Sequence, residues 1–285
     1  MGPDFLCIGA QKAGTGWLYE QLRSHPDFWM PPMKELHYFD RLAISGTSNR
    51  SLPFARKEQD RIEIARERAE DDRDRKFLDR FERVRQQSSS DLEAYARLFK
   101  PKGNLIAGDI TPGYSILDEA VIGKICDRFP NARIIFIARD PVERAWSQVS
   151  MYVRRGLIDP FDPDDVDRIT EHLSRPEIAM RSYPSRIVQR WRQHANPNRL
   201  RVFFFDDLKC DPVRLRASII SFLGGDPTKP SGAVSPWHNA KAEKQKLQLT
   251  SVARTHLAQF FESELRACAA EFGGAAAEWP RRYAV

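Results

Sequence analysis

The sequence predicts a three-layer α/β fold, in which helices cover both faces of a mainly parallel β-sheet. Two features of its 285 residues point to this class. Short apolar segments rich in β-branched and aromatic residues alternate with longer segments of helical periodicity, as in buried strands joined by crossover helices. The chain has 41% hydrophobic residues, enough for a core, yet no apolar run reaches the roughly 18–20 residues that span a bilayer. We therefore expect no transmembrane segment.

Strands and helices follow one another along the chain. The predicted strands are Phe5–Gly9, Leu105–Asp109, Arg133–Ala138 and Leu200–Phe205. The predicted helices are Thr15–Ser24, Leu117–Phe129, Pro141–Arg154, Pro184–His194, Asp211–Leu223 and Ser251–Phe272. Pro141 stands where a helix begins, a position in which its missing N–H costs little. We expect residues 1–285 to form a single domain.

Two stretches interrupt this alternation. The first, residues 41–100, is predicted to be a charged helical insertion. Between Arg56 and Arg85 it holds 11 Lys/Arg and 10 Asp/Glu, with Phe77, Phe81 and Val84 on one helical stripe. This mixture of signs is typical of a solvated helix with i,i+4 pairs rather than of a basic arm that binds nucleic acid. The second stretch, residues 156–180, is rich in Asp and Pro and is predicted to be a loop or lid.

The net charge of +6 favours an anionic partner. A small polyanion explains this charge, and because the sequence carries no nucleic-acid motif we expect no nucleic-acid partner. The four cysteines have neither the even clustering of a disulfide framework nor the spacing of a zinc site. The N-terminus lacks the pattern of a secretory signal. These features predict a cytoplasmic protein without a metal.

The segment after the first predicted strand has the composition of a phosphate-binding turn. Glycine lets the backbone approach an anion closely, and the N–H groups and dipole of the following helix favour negative charge. Gly9 and Gly14 have the spacing of a Walker A loop, but Thr15 stands where that loop carries its lysine. The nearest lysine, Lys12, lies inside the turn. This departure counts against a P-loop kinase or NTPase, and a glycine-rich turn with an exposed lysine remains the alternative.

This turn resembles the 5′-phosphosulfate loop of the sulfotransferases that use 3′-phosphoadenosine 5′-phosphosulfate (PAPS). The matching run is Lys12-Ala13-Gly14-Thr15-Gly16-Trp17-Leu18. The third predicted strand leads into a run that matches the 3′-phosphate motif of the same family, Arg139-Asp140-Pro141-Val142-Glu143-Arg144-Ala145-Trp146-Ser147. Two motifs in the correct order, each at a strand-to-helix junction, identify the chain as a member of this family, with its P-loop NTPase-like fold.

The resemblance implies a role for each matched residue. Lys12 contacts the leaving 5′-phosphate and is catalytic, while residues 13–17 bind the phosphosulfate. Arg139 and Ser147 bind the 3′-phosphate, a group that arginine can hold through two hydrogen bonds. Asp140 and Arg144 are expected to brace the loop as an i,i+4 ion pair. PAPS is the implied co-substrate, 3′-phosphoadenosine 5′-phosphate (PAP) the product, and no metal is implied.

A second run, Lys34-Glu35-Leu36-His37-Tyr38-Phe39, resembles the heparan sulfate and carbohydrate-type branch, which many bacterial members share. In that branch the glutamate is the general base, so the resemblance implies this role for Glu35. His37 is the alternative base. Burial would raise the pKa of Glu35 toward neutrality, although Lys34 and Lys12 would oppose the rise. Asp109 departs from the family pattern and is expected to contact the acceptor, orient Lys12 or cap the adjacent turn.

The segment from Trp237 to Lys246 is basic. Family members cover the 3′-phosphate with a loop at this place, so the resemblance implies that Lys241 and Lys244 bind the nucleotide; a basic surface linker is the alternative. The sequence thus predicts sulfuryl transfer from PAPS to a hydroxyl or amine of a carbohydrate, lipid or small-molecule acceptor. A P-loop kinase or NTPase, or a non-catalytic nucleotide-binding module, is the alternative. The acceptor and the oligomeric state stay open.

Overall fold

The computed structural model describes residues 2–40, 52–86, 91–232 and 247–285. Four parallel strands form one sheet in the order β2-β1-β3-β4. Their bounds are β1 Phe5–Gly9, β2 Gly108–Ile110, β3 Arg133–Ala138 and β4 Leu200–Phe204. Helices flank the sheet, so the predicted α/β class is confirmed. Strands β1 and β3 have the predicted bounds, because each is a short apolar run that the fold buries almost completely.

The described residues contain the following α-helices: α1 Thr15–Arg23, α2 Leu52–Glu67, α3 Asp72–Gln86, α4 Leu92–Leu98, α5 Glu119–Arg128, α6 Pro141–Arg154, α7 Val166–Leu173, α8 Pro176–Ala179, α9 Pro184–Arg192, α10 Phe205–Cys210, α11 Pro212–Leu223, α12 Ser251–Phe260, α13 Glu262–Phe272 and α14 Trp279–Tyr283. Helix α6 has the predicted bounds. Asp140 caps it through hydrogen bonds from the N–H groups of Val142 and Glu143, and Pro141 occupies its first turn.

One predicted strand and one predicted helix differ from the structure by more than two residues. Strand β2 starts at Gly108 rather than Leu105, because Ile106 hydrogen-bonds with Asp27 and Trp29 and not with β1. The single helix predicted over Ser251–Phe272 is two helices, α12 and α13. The chain turns at Phe261, whose ring is buried against Tyr183 with 6.0 Å between ring centroids.

The predicted loop over residues 156–180 contains α7 and α8, so this prediction was wrong for those segments. Helix α7 begins with a side-chain cap from Asp165, which accepts from the N–H of Arg168. Its Ile169 and Leu173 are four residues apart and both are buried. The stretch was predicted to be a loop because it is rich in Asp and Pro, although it contains a short amphipathic helix.

The charged insertion is helical, as predicted for the part that the structure describes. It packs on the core through the predicted apolar stripe, in which Phe77 and Phe81 are buried. Trp29 contacts the ring of Phe77 edge-on and donates from Nε1 to Asp74 Oδ1 at 3.0 Å. One face of the insertion is therefore part of the core, and the other carries the charged pairs.

The strand order places the candidate site. Successive connections run from β1 to β2 on one side and from β3 to β4 on the other, so the chain changes direction between the carboxyl ends of β1 and β3. Ligands of open α/β sheets bind in the crevice outside such a point. The two predicted nucleotide motifs follow β1 and β3.

Candidate active site

The turn after β1 has the backbone of an anion-binding loop. Gly14 precedes α1 with φ 84°, in the left-handed region that favours glycine. A Cβ at this position would also lie 2.6 Å from Leu208 Cδ2 of α10. Among the described residues no side chain caps α1, so no cap competes with a ligand for the first-turn N–H groups of residues 15–17. These groups and the helix dipole favour a bound phosphate or sulfate.

Arg139 at the end of β3 joins the two predicted motifs. Its Nη1 donates to the carbonyl oxygen of Lys12 at 2.6 Å, and its Nη2 donates to Glu143 Oε2 at 3.2 Å. The guanidinium lies over the ring of Phe205, 4.4 Å from its centroid. Its buried Nε has no hydrogen-bond partner within the part of the chain that the structure describes. A buried donor of this kind fits an anionic ligand, because an unpaired N–H is costly in the interior.

The predicted ion pair between Asp140 and Arg144 does not form. Asp140 caps α6 through Oδ1, and its Oδ2 accepts from Arg282 and Tyr283. Arg144 is fully buried and donates to Gln148 and to Ser182 Oγ, each at 2.6 Å. An N-cap carboxylate turns back toward the helix N–H groups, whereas Arg144 reaches the segment after α8.

Ser147 is half-buried on α6, two turns from its start. Two nearby residues of α6 hydrogen-bond to the backbone of Leu247. Trp146 Nε1 donates to the carbonyl oxygen of Leu247 at 3.0 Å, and Ser150 Oγ accepts from its N–H at 2.8 Å. The predicted nucleotide ligands Lys241 and Lys244 lie outside the described residues. The chain that follows them therefore rejoins the described structure beside Ser147.

The predicted bases Glu35 and His37 form one hydrogen-bonded chain with Asp40. His37 Nε2 lies 3.4 Å from Glu35 Oε2, and His37 Nδ1 lies 2.6 Å from Asp40 Oδ2. Lys34 Nζ donates to Glu35 Oε1 at 2.5 Å. Gly113, just beyond β2, packs on this chain: a Cβ there would meet Asp40 Oδ2 at 2.8 Å. These three side chains thus lie at the same edge of the sheet as the turn after β1.

These contacts determine the protonation states of Glu35 and His37. Burial alone would raise the pKa of Glu35, but the hydrogen bond from His37 and the charge of Lys34 outweigh it and lower this pKa to about 2. Burial would lower the pKa of His37, but its bonds to Asp40 and Glu35 raise it to about 9. The expected rise in the pKa of Glu35 is therefore wrong, because the opposing charges dominate. At neutral pH the two groups form an ion pair.

The charged insertion reaches this site through Arg61 on α2. Its Nη2 donates to the carbonyl oxygens of Lys34 and Glu35, at 2.6 and 2.8 Å. Glu35 and His37 have φ angles of 61° and 50°, a region that L-residues rarely adopt. Arg61 thus holds a backbone segment whose conformation is unfavourable by itself.

Asp109 belongs to a buried network rather than to an acceptor surface. It is 1% exposed and accepts hydrogen bonds from the hydroxyls of Thr111, Tyr114 and Tyr95, at 2.7, 2.6 and 3.1 Å. Burial raises its pKa. Of the roles expected for Asp109 from the sequence, capping of the Thr111-Pro112 turn is the one that the contacts support.

Asp40, Arg61 and Arg282 contact residues of the predicted motifs but were not predicted from the sequence. Asp40 stands three residues after His37, a spacing that suits a local pair and could have identified it. Arg61 lies in a run of mixed charges that carries no signal of its own. Arg282 contacts Asp140 from 142 positions away in the sequence, which no local pattern reveals.

Within residues 2–40, 52–86, 91–232 and 247–285, no three His, Cys, Asp or Glu side chains are grouped so that they could hold a metal ion. No helix in these ranges combines the length and apolar character needed to span a membrane. A cavity of about 590 Å³ lies near the start of β3, at the edge of the sheet opposite the site, and Cys126, Ile134 and His194 contribute to its lining.

Known proteins resemble this chain in sequence. Residues 3–229 match the model of the sulfotransferase family. Human carbohydrate sulfotransferase 15 is 28% identical over 219 residues, covering 70% of this chain and 36% of the relative. The membrane-associated sulfotransferase kil1 of Dictyostelium discoideum is 23% identical over 188 residues, 64% of this chain and 30% of the relative. The chain thus spans about a third of the length of these curated relatives.

Solved structures share its fold. A sulfotransferase from Alicyclobacillus acidocaldarius superposes with a TM-score of 0.69 at 20% identity, covering 99% of this chain and 100% of the other. The sulfotransferase domain of the curacin biosynthetic pathway has a TM-score of 0.54 at 16% identity, covering 92% and 98%. These similarities confirm the predicted fold type, and the sequence match covers most of the chain. The chain belongs to the sulfotransferase family.

Proposed function

We propose that this protein transfers a sulfuryl group from PAPS to a hydroxyl or amine of a carbohydrate, lipid or small-molecule acceptor. One observation carries the proposal: Arg139, at the end of β3, donates a hydrogen bond to the carbonyl oxygen of Lys12 and so joins the start of α6 to the turn after β1. Two anion-binding elements in contact at the edge of a parallel sheet suit a nucleotide with phosphate groups at both ends.

In this proposal the turn after β1 binds the 5′-phosphosulfate through Lys12 and the N–H groups of residues 13–17. Thr15, which is buried at the start of α1, adds its hydroxyl. Arg139 and Ser147 bind the 3′-phosphate, and Lys241 and Lys244 add positive charge to it. Each contact pairs an N–H or O–H donor with an anionic oxygen, the type of hydrogen bond that is strongest in proteins.

The proposed reaction is an in-line displacement at sulfur. The acceptor oxygen or nitrogen forms a bond to sulfur with its lone pair, and Glu35 takes the proton that the acceptor loses. The bond from sulfur to the bridging oxygen of the 5′-phosphate breaks, and its electron pair leaves with PAP. Lys12 stabilises the charge that develops on this oxygen. Because a sulfuryl group carries less charge than a γ-phosphoryl group, lysine and amide groups can replace a metal ion.

The pKa values that their contacts impose favour Glu35 over His37 as the base. With its pKa raised to about 9, His37 is protonated at neutral pH and cannot accept a further proton. Glu35 is ionised, and His37 and Lys34 both lower its basicity. A movement of Lys34 toward the anionic co-substrate would remove one of these interactions and raise the pKa of Glu35. His37 then orients the carboxylate, and Asp40 orients His37.

Ligand stabilisation and product formation together test the function. We expect PAP to raise the melting temperature without a metal, and ATP with Mg²⁺ to have little effect, because Thr15 replaces the Walker A lysine. Labelled PAPS should then yield a labelled acceptor, and Lys12→Ala should abolish transfer. Stabilisation by ATP and Mg²⁺ alone would indicate an NTPase instead. PAP binding without transfer to any acceptor class would indicate a binding module.

Carbohydrates are the first acceptor class to test. The human relative is named as a carbohydrate sulfotransferase, although this chain spans only 36% of it. A panel of neutral and acidic oligosaccharides, followed by lipids and small alcohols and amines, would rank the classes by transfer rate from labelled PAPS. A rate above the background of PAPS hydrolysis for one class alone would assign the acceptor.

A further inference from the structure

The C-terminal helix α14 is tied to the element that carries Arg139. Trp279 is fully buried and donates from Nε1 to Asp206 Oδ2 at 3.2 Å. Arg282 contacts the same aspartate and one further segment, because Nη2 donates to Asp206 Oδ1 at 2.6 Å and Nη1 to Asp140 Oδ2 at 2.9 Å. The match to the family model ends at residue 229, so α14 lies outside it.

Asp140 is the first link from α14 to Arg139. Its carboxylate is fully buried next to Arg139 in the chain, and Oδ1 caps α6. Oδ2 accepts from Arg282 and also from the hydroxyl of Tyr283 at 2.7 Å. A buried carboxylate needs such partners, and removing one is strongly destabilising for the remaining charge. The two donors from α14 therefore fix the position of Asp140 and, with it, the backbone from which Arg139 extends.

Glu143 is the second link. Its Oε2 accepts from Arg139 at 3.2 Å and from Lys209 at 2.7 Å, while Oε1 lies 3.5 Å from Arg282 Nη1. Three cations thus share one carboxylate. If Arg282 were absent, the charge of Glu143 would act more strongly on Arg139, and an incoming anion would compete with it for that guanidinium.

We propose that Arg282 is a positioning residue for nucleotide recognition: through Asp140 and Glu143 it holds Arg139 in place and limits the neutralisation of Arg139 by Glu143. The C-terminal helix thereby sets the affinity for nucleotides that carry a 3′-phosphate. This inference rests on the proposed function, since it takes Arg139 as the 3′-phosphate ligand.

The test compares two nucleotides that differ in the 3′-phosphate. Calorimetry with PAP and with 5′-AMP should show that Arg282→Met weakens PAP binding about 10-fold, as expected for losing a hydrogen bond between charged groups, and changes 5′-AMP binding less than about 2-fold. The KM for PAPS should rise while kcat is unchanged. Arg282→Lys should recover part of the PAP affinity, because it restores the charge without the forked geometry.

Arg281→Met is the matched control. Arg281 lies on the same helix, its side chain is 80% exposed and it pairs with Glu278. We expect its PAP and 5′-AMP affinities to equal those of the wild type. If Arg282→Met does not fold, Tyr283→Phe can replace it, because it removes only the hydroxyl bond to Asp140. It should weaken PAP binding about 3-fold and leave 5′-AMP binding unchanged.

Several results would overturn the inference. Unchanged PAP affinity in Arg282→Met, or in Tyr283→Phe where that variant is the one tested, would show that α14 does not position Arg139. Equal losses for PAP and 5′-AMP, with a lower melting temperature, would show a purely structural role. Failure of the proposed function is distinguishable: the wild type would then not prefer PAP over 5′-AMP, or Arg139→Ala would keep that preference.

Discussion

Backbone strain and strong polar contacts occur together at Lys12 and in the cluster of Glu35, His37 and Asp40. Lys12, Glu35 and His37 are three of the four non-glycine residues with positive φ in the described parts of the chain, and all three belong to the proposed active site. Such a conformation costs about 1–3 kcal/mol per residue and persists only where other contacts impose it. Here the contacts come from Arg139 to the carbonyl of Lys12 and from Arg61 to the carbonyl of Glu35. Strain is thus concentrated where orientation matters most.

The first prediction concerns pH. Glu35 acts as a base only when ionised, so its contribution is lost as the pH falls through its pKa, which is about 2 in the wild type. Between pH 4 and 7, kcat/KM should therefore not fall through protonation of Glu35. His37→Gln removes the hydrogen bond that lowers this pKa. The pH below which kcat/KM falls should then rise toward the ordinary carboxyl pKa of 4.5. Profiles of kcat/KM against pH for both proteins measure it, and identical acid limbs would contradict it.

The second prediction concerns Arg61. Arg61→Ala removes two hydrogen bonds to the backbone at Lys34 and Glu35, so the carboxylate is no longer held in place. Displacement of a catalytic group can lower turnover up to about 100-fold, and we expect a loss of about 10-fold in kcat with unchanged affinity for PAP. Arg66→Ala is the control, since Arg66 lies on the same helix and pairs only with Asp79 and Glu82 among the described residues. Equal activity of the two variants would show that Arg61 has no such role.

At the scale of the elements, the start of α1 depends on a glycine. Gly14 has φ 84° and ψ 12°, and a Cβ there would lie 2.6 Å from Leu208 Cδ2 of α10, so that side chain would have to shift. The turn after β1 is thereby pressed against the element that follows β4. A change at Gly14 affects both the backbone conformation of the turn and its packing against α10.

The third prediction uses a second glycine as the matched control. Gly224, at the end of α11, has nearly the same angles, φ 91° and ψ 12°, but contacts Arg133 at the opposite edge of the sheet. Alanine in this conformation costs about 1–2 kcal/mol, so both Gly14→Ala and Gly224→Ala should lower stability toward urea by about that amount. Only Gly14→Ala should also abolish stabilisation by PAP. Retained PAP binding in Gly14→Ala would show that the turn does not bind the nucleotide.

Local patterns predicted the elements that local forces determine. The bounds of β1 and β3 followed from apolar runs, and the start of α6 followed from Pro141. Strand β2 was misplaced because Ile106 hydrogen-bonds with a segment 77 to 79 residues earlier. The motifs predicted Lys12, Glu35 and Arg139 as site residues. Their partners Arg61 and Arg282 could not be predicted, because the contacts span 26 and 142 residues and depend on how helices dock.

At the scale of the whole molecule, distant segments converge on one edge of the sheet. The turn after β1, the start of α6, the charged insertion and the C-terminal helix all contact residues of the proposed site. Their contacts are made through charged groups, which act over longer distances than apolar packing. Trp29 makes buried contacts with the insertion through Phe77 and Asp74, so the predicted single domain can be tested at this point.

The fourth prediction tests this unity through Asp74 on α3. Asp74 is buried and accepts hydrogen bonds from Trp29 Nε1 and from the N–H of Glu70, each at 3.0 Å. Asp74→Ala should lower stability by about 2 kcal/mol, because two donors lose a charged acceptor. If insertion and sheet form one cooperative unit, tryptophan fluorescence and far-UV circular dichroism should show a single transition at a lowered temperature, and PAP should raise it in both signals. An insertion that folds separately would give two transitions, of which Asp74→Ala lowers only one and PAP raises only the other.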